Sequence, residues 1–247
     1  MLEFPTSAAP RFFIDGPLVT GAEVELPERV VRHVAVLRLR LGDPLTLFNG
    51  SGGEHECVLS RVTKNSVRAR VIAWRDLERE SGIRITLAQG LSGSDRMDYA
   101  MQKATELGVC AIRPLATERS VVRLSEERAG RRLAHWRNVV AAACEQCGRN
   151  RLPEVHPVET LGEFVAAAER DAQRLLLTPV GTVRLRELAP AERVIVLIGP
   201  EGGLSEDEEG RVLKAGFTAV RVGPRVLRTE TAPLAAISAL QAMWGDA

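Results

Sequence analysis

Residues 193–199 read RVIVLIG, an arginine, an unbroken apolar run and a glycine. A strand with one wet face alternates polar and apolar side chains. An uninterrupted run is instead the pattern of a strand covered on both faces, which points to a parallel sheet between helical layers. The chain from Ile83 onward agrees. IRITLAQGL is strand-like. SDRMDYAMQKATELG then sets Met97, Ala100, Met101 and Ala104 at i, i+3, i+4 and i+7, a helix stopped by Gly108. VCAIRPL reads as a strand, and a long helix follows from about Ser125 to Cys147 with Leu133, Trp136, Val140 and Cys144 as its apolar stripe. TLGEFVAAAERDA is a shorter helix and RLLLTP a buried strand. In SEDEEGRVLKAG, Ser205 and Glu208 form an S-x-x-E box and Gly216 ends the helix. TAVRVG is a strand, and TAPLAAISALQAMW a final helix with Pro233 in its first turn. Such alternation predicts an α/β domain: a mostly parallel sheet with helices on both faces.

The N-terminal part is different. DPLTLFNGSGGEHECVLSRV shows an extended run, a turn over residues 49–53, and alternation through Cys57, Leu59 and Val62. TKNSVRARVIAW adds a turn at Lys64-Asn65 and a second alternating strand. Short strands with Gly and Asn turns predict a small β-barrel or meander, with a helix between Pro27 and Leu41 carrying Val30, Val34 and Leu37. This part is poor in catalytic residue types and reads as a binding module. RDLERESG, residues 75–82, is almost all charge and turn residues. The boundary is placed there, with domains over residues 1–76 and 77–247.

Composition narrows the function classes. Net charge is +1, so bulk charge does not signal a polyanionic partner. Basic residues do cluster, at Arg29, Arg32, Arg38 and Arg40, at Arg61, Lys64, Arg68, Arg70 and Arg75, and again at Arg128, Arg131, Arg132 and Arg137; solvated surface accounts for each cluster alone, and together they allow an RNA partner. No apolar run reaches membrane-span length, and the first residues lack the pattern of a secretion signal, so a cytoplasmic location is expected. Cys144 and Cys147 form a single C-x-x-C with no second pair, and the histidines are scattered; small buried or half-buried thiols are expected rather than metal or redox work.

Ligands of open parallel sheets sit at the carboxyl ends of the strands. Three such ends are unusual here: LLLTPVGT, IGPEGGLS and VGPRVLRTETA. IGPEGG is neither G-x-x-x-x-G-K-[ST] nor G-x-G-x-x-G, and Glu201 would repel a phosphate. A neutral or cationic ligand held by bare backbone fits better. S-adenosylmethionine has that character, an adenosine without phosphates bearing a sulfonium. An ordinary tight turn is the alternative. RVLRTETA packs two arginines, two threonines and a glutamate before the last helix, a density that suggests a site.

SDRMDYAMQKATELGV, TERSVV, EQCGR, LIGPEGGLS and VGPRVLRTETA together resemble the ribosomal-RNA uridine-N3 methyltransferases of the SPOUT superfamily, which modify 16S rRNA; RFFID and HVAVLRLRLGD resemble that family's opening domain. The resemblance implies a PUA-like, RNA-binding barrel followed by a SPOUT domain with a C-terminal trefoil knot. It also implies a homodimer acting on 16S rRNA, either free or within the 30S subunit, with S-adenosylmethionine as cofactor. The cofactor would be held by Leu177, Thr178 and Pro179; by Ile198, Gly199, Pro200, Glu201, Gly202 and Gly203; and by Val222, Gly223, Val226, Leu227, Arg228 and Thr229. Methylating N3 requires loss of its proton, so a base or an anion-stabilising cation is needed. Arg228, Glu230 and Glu201 are the candidates, Glu201 alternatively facing the sulfonium. Arg11, Arg38, Arg40, Arg119, Gln146 and Arg149 are the expected RNA contacts. Alternatives are methylation of another RNA base or a ribose hydroxyl, and a non-catalytic RNA-binding protein.

Overall fold

The computed structural model describes residues 9–120 and 126–247. It divides into two compact units. The first runs to Glu80 and takes in Cys144–Leu152; the second holds Ser81–Ala143 and Pro153–Ala247. The expected boundary near residue 76 misses that inserted segment, which carries no mark in local sequence.

In the first unit the chain order is β1 (Arg11–Phe13), β2 (Glu23–Glu25), α1 (Glu28–Val36), β3 (Pro44–Phe48), β4 (Glu54–Val62) and β5 (Val67–Arg75). They form one curled sheet in the order β1-β3-β4-β5-β2. Only β1 and β3 pair in parallel. The alternation read in β4 and β5 places Cys57, Leu59, Val67, Ala69 and Val71 inward, against Val30 and Val34 of α1. The helix stops at Val36, short of the Leu41 limit expected. Arg38 N–H bonds Ala35 O and Leu39 N–H bonds Val34 O, a left-handed terminating turn with Arg38 at φ 57°.

The second unit continues with β6 (Arg84–Gly90), α2 (Ser94–Glu106), β7 (Ala111–Ala116), α3 (Glu126–Cys147), β8 (Glu154–Val155), β9 (Glu159–Thr160), α4 (Leu161–Ala167), β10 (Gln173–Leu177), β11 (Val183–Arg184), a 3-10 turn (Leu185–Glu187), β12 (Arg193–Ile198), α5 (Glu206–Lys214), β13 (Thr218–Arg221) and α6 (Thr231–Trp244). The proposed start of α3 at Ser125 lies outside the described residues. The sheet order is β11-β13-β10-β12-β6-β7-β8, with β9 also on β7, and every pairing is parallel. The apolar run of β12 has the expected cause. Val194 and Val196 join the core built with α2, α3 and α6, while Ile195 and Leu197 join the core under α4 and α5. Ser205 and Glu208 make the capping box expected of α5. No described helix is long and apolar enough to cross a membrane.

Candidate functional site

In the sheet β13, β10 and β12 are neighbours, with Leu177 level with both Ile198 and Val220. Being parallel, they end at one edge, and their loops enclose a cavity of about 550 Å³. That is within the range of about 300–1,000 Å³ usual for small-molecule sites. Leu177, Thr178 and Pro179, residues 198–203 and residues 226–229 line it, with Glu230 at its wall. Val222 and Gly223 line a smaller hollow of about 40 Å³ that shares Leu177, Thr178 and Leu227. The structure thus brings together residues from well-separated parts of the chain.

Glycine is required in the middle loop for space. A Cβ on Gly199 would stand 2.9 Å from Gly203 C and Leu204 N. Gly90, at the end of β6, is held against the same loop: its Cβ would stand 2.5 Å from Pro200 N. Backbone therefore packs on backbone, leaving the other side of the loop open to the cavity.

Glu201 does not float in this loop. Its Oε1 accepts from Gly93 N–H at 3.1 Å and from Arg96 Nη1 at 2.5 Å, at the N-terminus of α2. Burial pushes its carboxyl up, but the Gly93 and own-backbone N–H bonds and the Arg96 guanidinium outweigh this and hold it below the ordinary carboxylate value. A carboxylate so committed is a poor proton acceptor and a good counter-charge, which favours the second of the two roles expected for it. Glu230 contrasts with it. Its Oε2 is buried without a hydrogen-bond partner, and the nearest cation is Arg96 Nε at 3.8 Å. Arg228 is exposed at the wall of the cavity, and among the described residues its guanidinium has no hydrogen bond or ion pair. Between these two, Thr229 turns inward: its hydroxyl donates to Gly199 O at 2.7 Å.

The expected RNA contacts divide. Arg119 Nη1 donates to Gly202 O and Leu204 O, both at 3.1 Å, and so braces the GPEGG loop from outside. Arg38, Arg40 and Gln146 are exposed. Arg11 and Arg149 are instead engaged within the protein. Arg11 pairs with Glu54, bonds Asn150 Oδ1 at 2.6 Å and stacks over Phe48. Arg149 is 4% exposed and its Nε bonds Glu80 Oε1 at 3.0 Å. Both charges are matched inside the first unit, where burying them singly would be too costly. Cys57 and Cys144 are likewise interior, Cys110 and Cys147 half-buried: burial pushes Cys57 up to about 12, and a bond from Cys147, then burial, raises Cys144.

The chain matches the family model described as RNA methyltransferase domain over residues 79–241, and that of the RNA methyltransferase PUA domain over residues 26–72. The chain belongs to the RNA methyltransferase family. Among its relatives, the ribosomal RNA small subunit methyltransferase E of Bacillus subtilis is 33% identical over 90% of this chain and 88% of the relative. That of Mycobacterium bovis is 34% identical over 93% and 90%. A solved ribosomal RNA small subunit methyltransferase E from Neisseria gonorrhoeae bound to S-adenosyl methionine superposes with a TM-score of 0.90, at 41% identity over 96% of this chain and 99% of that one. A methyltransferase from Legionella pneumophila in complex with the same cofactor reaches 0.94, at 40% identity over 98% and 100%.

Within this family member, sequence reasoning passed over Arg96, Glu209 and Gln89. Arg96 and Glu209 line the cavity from helices α2 and α5. On a helix, a charged residue carries no sign of which distant neighbour it meets.

Proposed function

We propose that the protein transfers a methyl group from S-adenosylmethionine to N3 of a uridine in 16S ribosomal RNA. The observation that carries this reading is the cavity at the ends of β10, β12 and β13, walled by bare backbone and carboxylates. Its charged wall comprises Glu201, Glu209 and Glu230 against Arg96 and Arg228, a balance that suits a ligand with a cationic centre and no phosphate. The small-subunit RNA methyltransferases to which it is similar, one of them holding this cofactor, support the substrate and the donor.

When bound, the cofactor supplies an electrophilic methyl group on a sulfonium. The residues of this chain do the rest. Backbone of residues 198–203 and 226–229 holds the adenosine, with Leu177, Thr178 and Pro179 beneath. Glu201, kept ionised by the Gly93 and own-backbone N–H bonds and by Arg96, faces positive charge. Glu230, whose Oε2 lacks a donor, accepts the proton that N3 must lose. Arg228, with no partner of its own, stabilises the uridine anion or an adjoining phosphate. Alignment of nucleophile and methyl group provides the remaining acceleration.

The first unit is the RNA-holding module, with Arg38, Arg40 and Gln146 on its surface and Arg119 contributing from the second. Phosphate contacts would fix register and base contacts would select the uridine. A homodimer acting on the 30S subunit in the cytoplasm, and a C-terminal trefoil knot, complete the proposal.

Incubation with radiolabelled cofactor and 30S subunits lacking the modification tests it. Label at N3 of one 16S uridine is expected. Label absent, or on another base, overturns it.

A further inference from the structure

The cofactor cavity rests on a buried side chain that does not line it. Gln89 is the penultimate residue of β6, the strand beside β12, and is 1% exposed. Its Nε2 donates to Thr229 Oγ1 at 2.9 Å and to Gly90 O at 3.2 Å. Thr229 Oγ1 donates in turn to Gly199 O at 2.7 Å. A hydroxyl has one proton, so Thr229 gives it to Gly199 and must accept from Gln89. This fixes the direction of the chain and the orientation of the amide. A flipped amide would set Gln89 Oε1 against an oxygen with no proton left to offer.

Gln89 Oε1 is left buried without a hydrogen-bond partner. An unsatisfied acceptor in a core is unfavourable, and an apolar side chain of the same length would avoid it. Besides its bond to the neighbouring Gly90 O, what the amide secures is the Thr229 hydroxyl. Thr229 stands between Arg228 and Glu230, which both face the cavity, and is itself 6% exposed. Its bond to Gly199 O ties the loop after β13 to the loop after β12, across residues that lie 30 positions apart in the chain.

We propose that Gln89 is a positioning residue for methyl transfer. It acts through Thr229, locking the Arg228–Glu230 pair onto the Gly199 loop so that cofactor and catalytic groups share one frame. This rests on the cofactor placement proposed above. A merely structural glutamine would support the fold of the second unit and nothing else.

The experiment compares wild type with Gln89→Met, Thr229→Val, Thr229→Ser and the Gln89→Met/Thr229→Val double variant. It measures S-adenosylmethionine affinity by calorimetry, kcat and the two KM values on 30S subunits, and thermal melting. Gln89→Met and Thr229→Val are each expected to weaken cofactor binding roughly tenfold and to lower kcat, leaving the KM for 30S unmoved. The double variant should lose little more than either single one, because both break the same chain. Thr229→Ser keeps the hydroxyl and should restore both constants. Gln89→Met with wild-type affinity and kcat overturns the inference, as does a lowered melting temperature with unchanged constants. If Gln89→Met does not fold, Thr229→Ser behaving like Thr229→Val overturns it instead. Wild type failing to bind the cofactor would refute the placement itself, an outcome distinct from any variant result.

Discussion

Arg96 Nη1 lies 2.5 Å from Glu201 Oε1, and Arg96 Nε lies 3.8 Å from Glu230 Oε2. One guanidinium on α2 thus stands between two carboxylates carried by two different loops. Gly93 N–H, the residue's own N–H and this guanidinium together hold Glu201 below the ordinary carboxylate value, whereas Glu230 Oε2 has no hydrogen bond.

The Glu201 carboxyl is held below its ordinary value of 4.5. What its charge contributes is therefore fully present above that value and fades as pH falls through the lowered one. Arg96→Ala removes the guanidinium, so the fade moves to higher pH. Cofactor affinity measured across the acidic range should show the displacement. Superimposable profiles for wild type and variant would refute the counter-charge role.

Arg228→Ala should leave cofactor affinity near the wild-type value and lower methylation by at least about a hundredfold, the scale set by removing one group that stabilises developing charge. Calorimetry and a single-turnover assay separate the two effects. Wild-type turnover would remove Arg228 from the mechanism.

Gly90→Ala places a methyl group 2.5 Å from Pro200 N and 2.8 Å from Gly199 C, both backbone atoms that cannot yield cheaply. Stability should fall by about 1–3 kcal/mol and cofactor binding should weaken with it. Gly210→Ala is the control. It lies within α5 with open space around its Cβ position, and should be neutral or stabilising by up to about 1 kcal/mol. Urea denaturation reads both.

Arg149→Met leaves Glu80 without its buried partner. Unfolding free energy in urea should drop by about 3–5 kcal/mol. An arginine that served only to bind RNA would leave stability unmoved, which makes the measurement decisive for its reassignment to the interior.

Arg38 holds φ at 57°, a left-handed conformation that a side chain disfavours, at the turn ending α1. Arg38→Gly should relieve this by a net amount of about 0.5–1 kcal/mol once glycine's extra chain entropy is allowed for, whereas Arg38→Ala should not. Both should weaken RNA binding and reduce its salt dependence by about one counterion. If RNA affinity and its salt slope are unchanged in both, Arg38 is not a phosphate contact.

Much of this was legible in sequence because the relevant physics is local. The apolar run of β12 announces a strand packed on both faces, and the S-x-x-E spacing from Ser205 to Glu208 announces a helix start. Gly216 ends α5 with φ +85° because backbone geometry at that point favours glycine. Loops at the ends of parallel strands meet at one edge, so the composition of GPEGG and RVLRTETA pointed to a shared site before their distances were known.

What depended on long-range contacts was not legible. Arg11 and Arg149 have the composition of RNA contacts, yet one binds Asn150, 139 positions away, and the other Glu80, 69 positions away. The joining of Cys144–Leu152 to the first unit follows from such pairings. Gln89 lies in an ordinary strand, and only its approach to Thr229, 140 positions on, gives it a role. Sequence by itself determined the periodicities, the turns and the chemical character of the loops, because each is set within a few residues. Only the tertiary structure decided which charges are matched, which carboxylate keeps an unpaired oxygen and which hydroxyl is held in place. Those outcomes depend on distance and desolvation, and neither is a property of neighbouring residues in the chain.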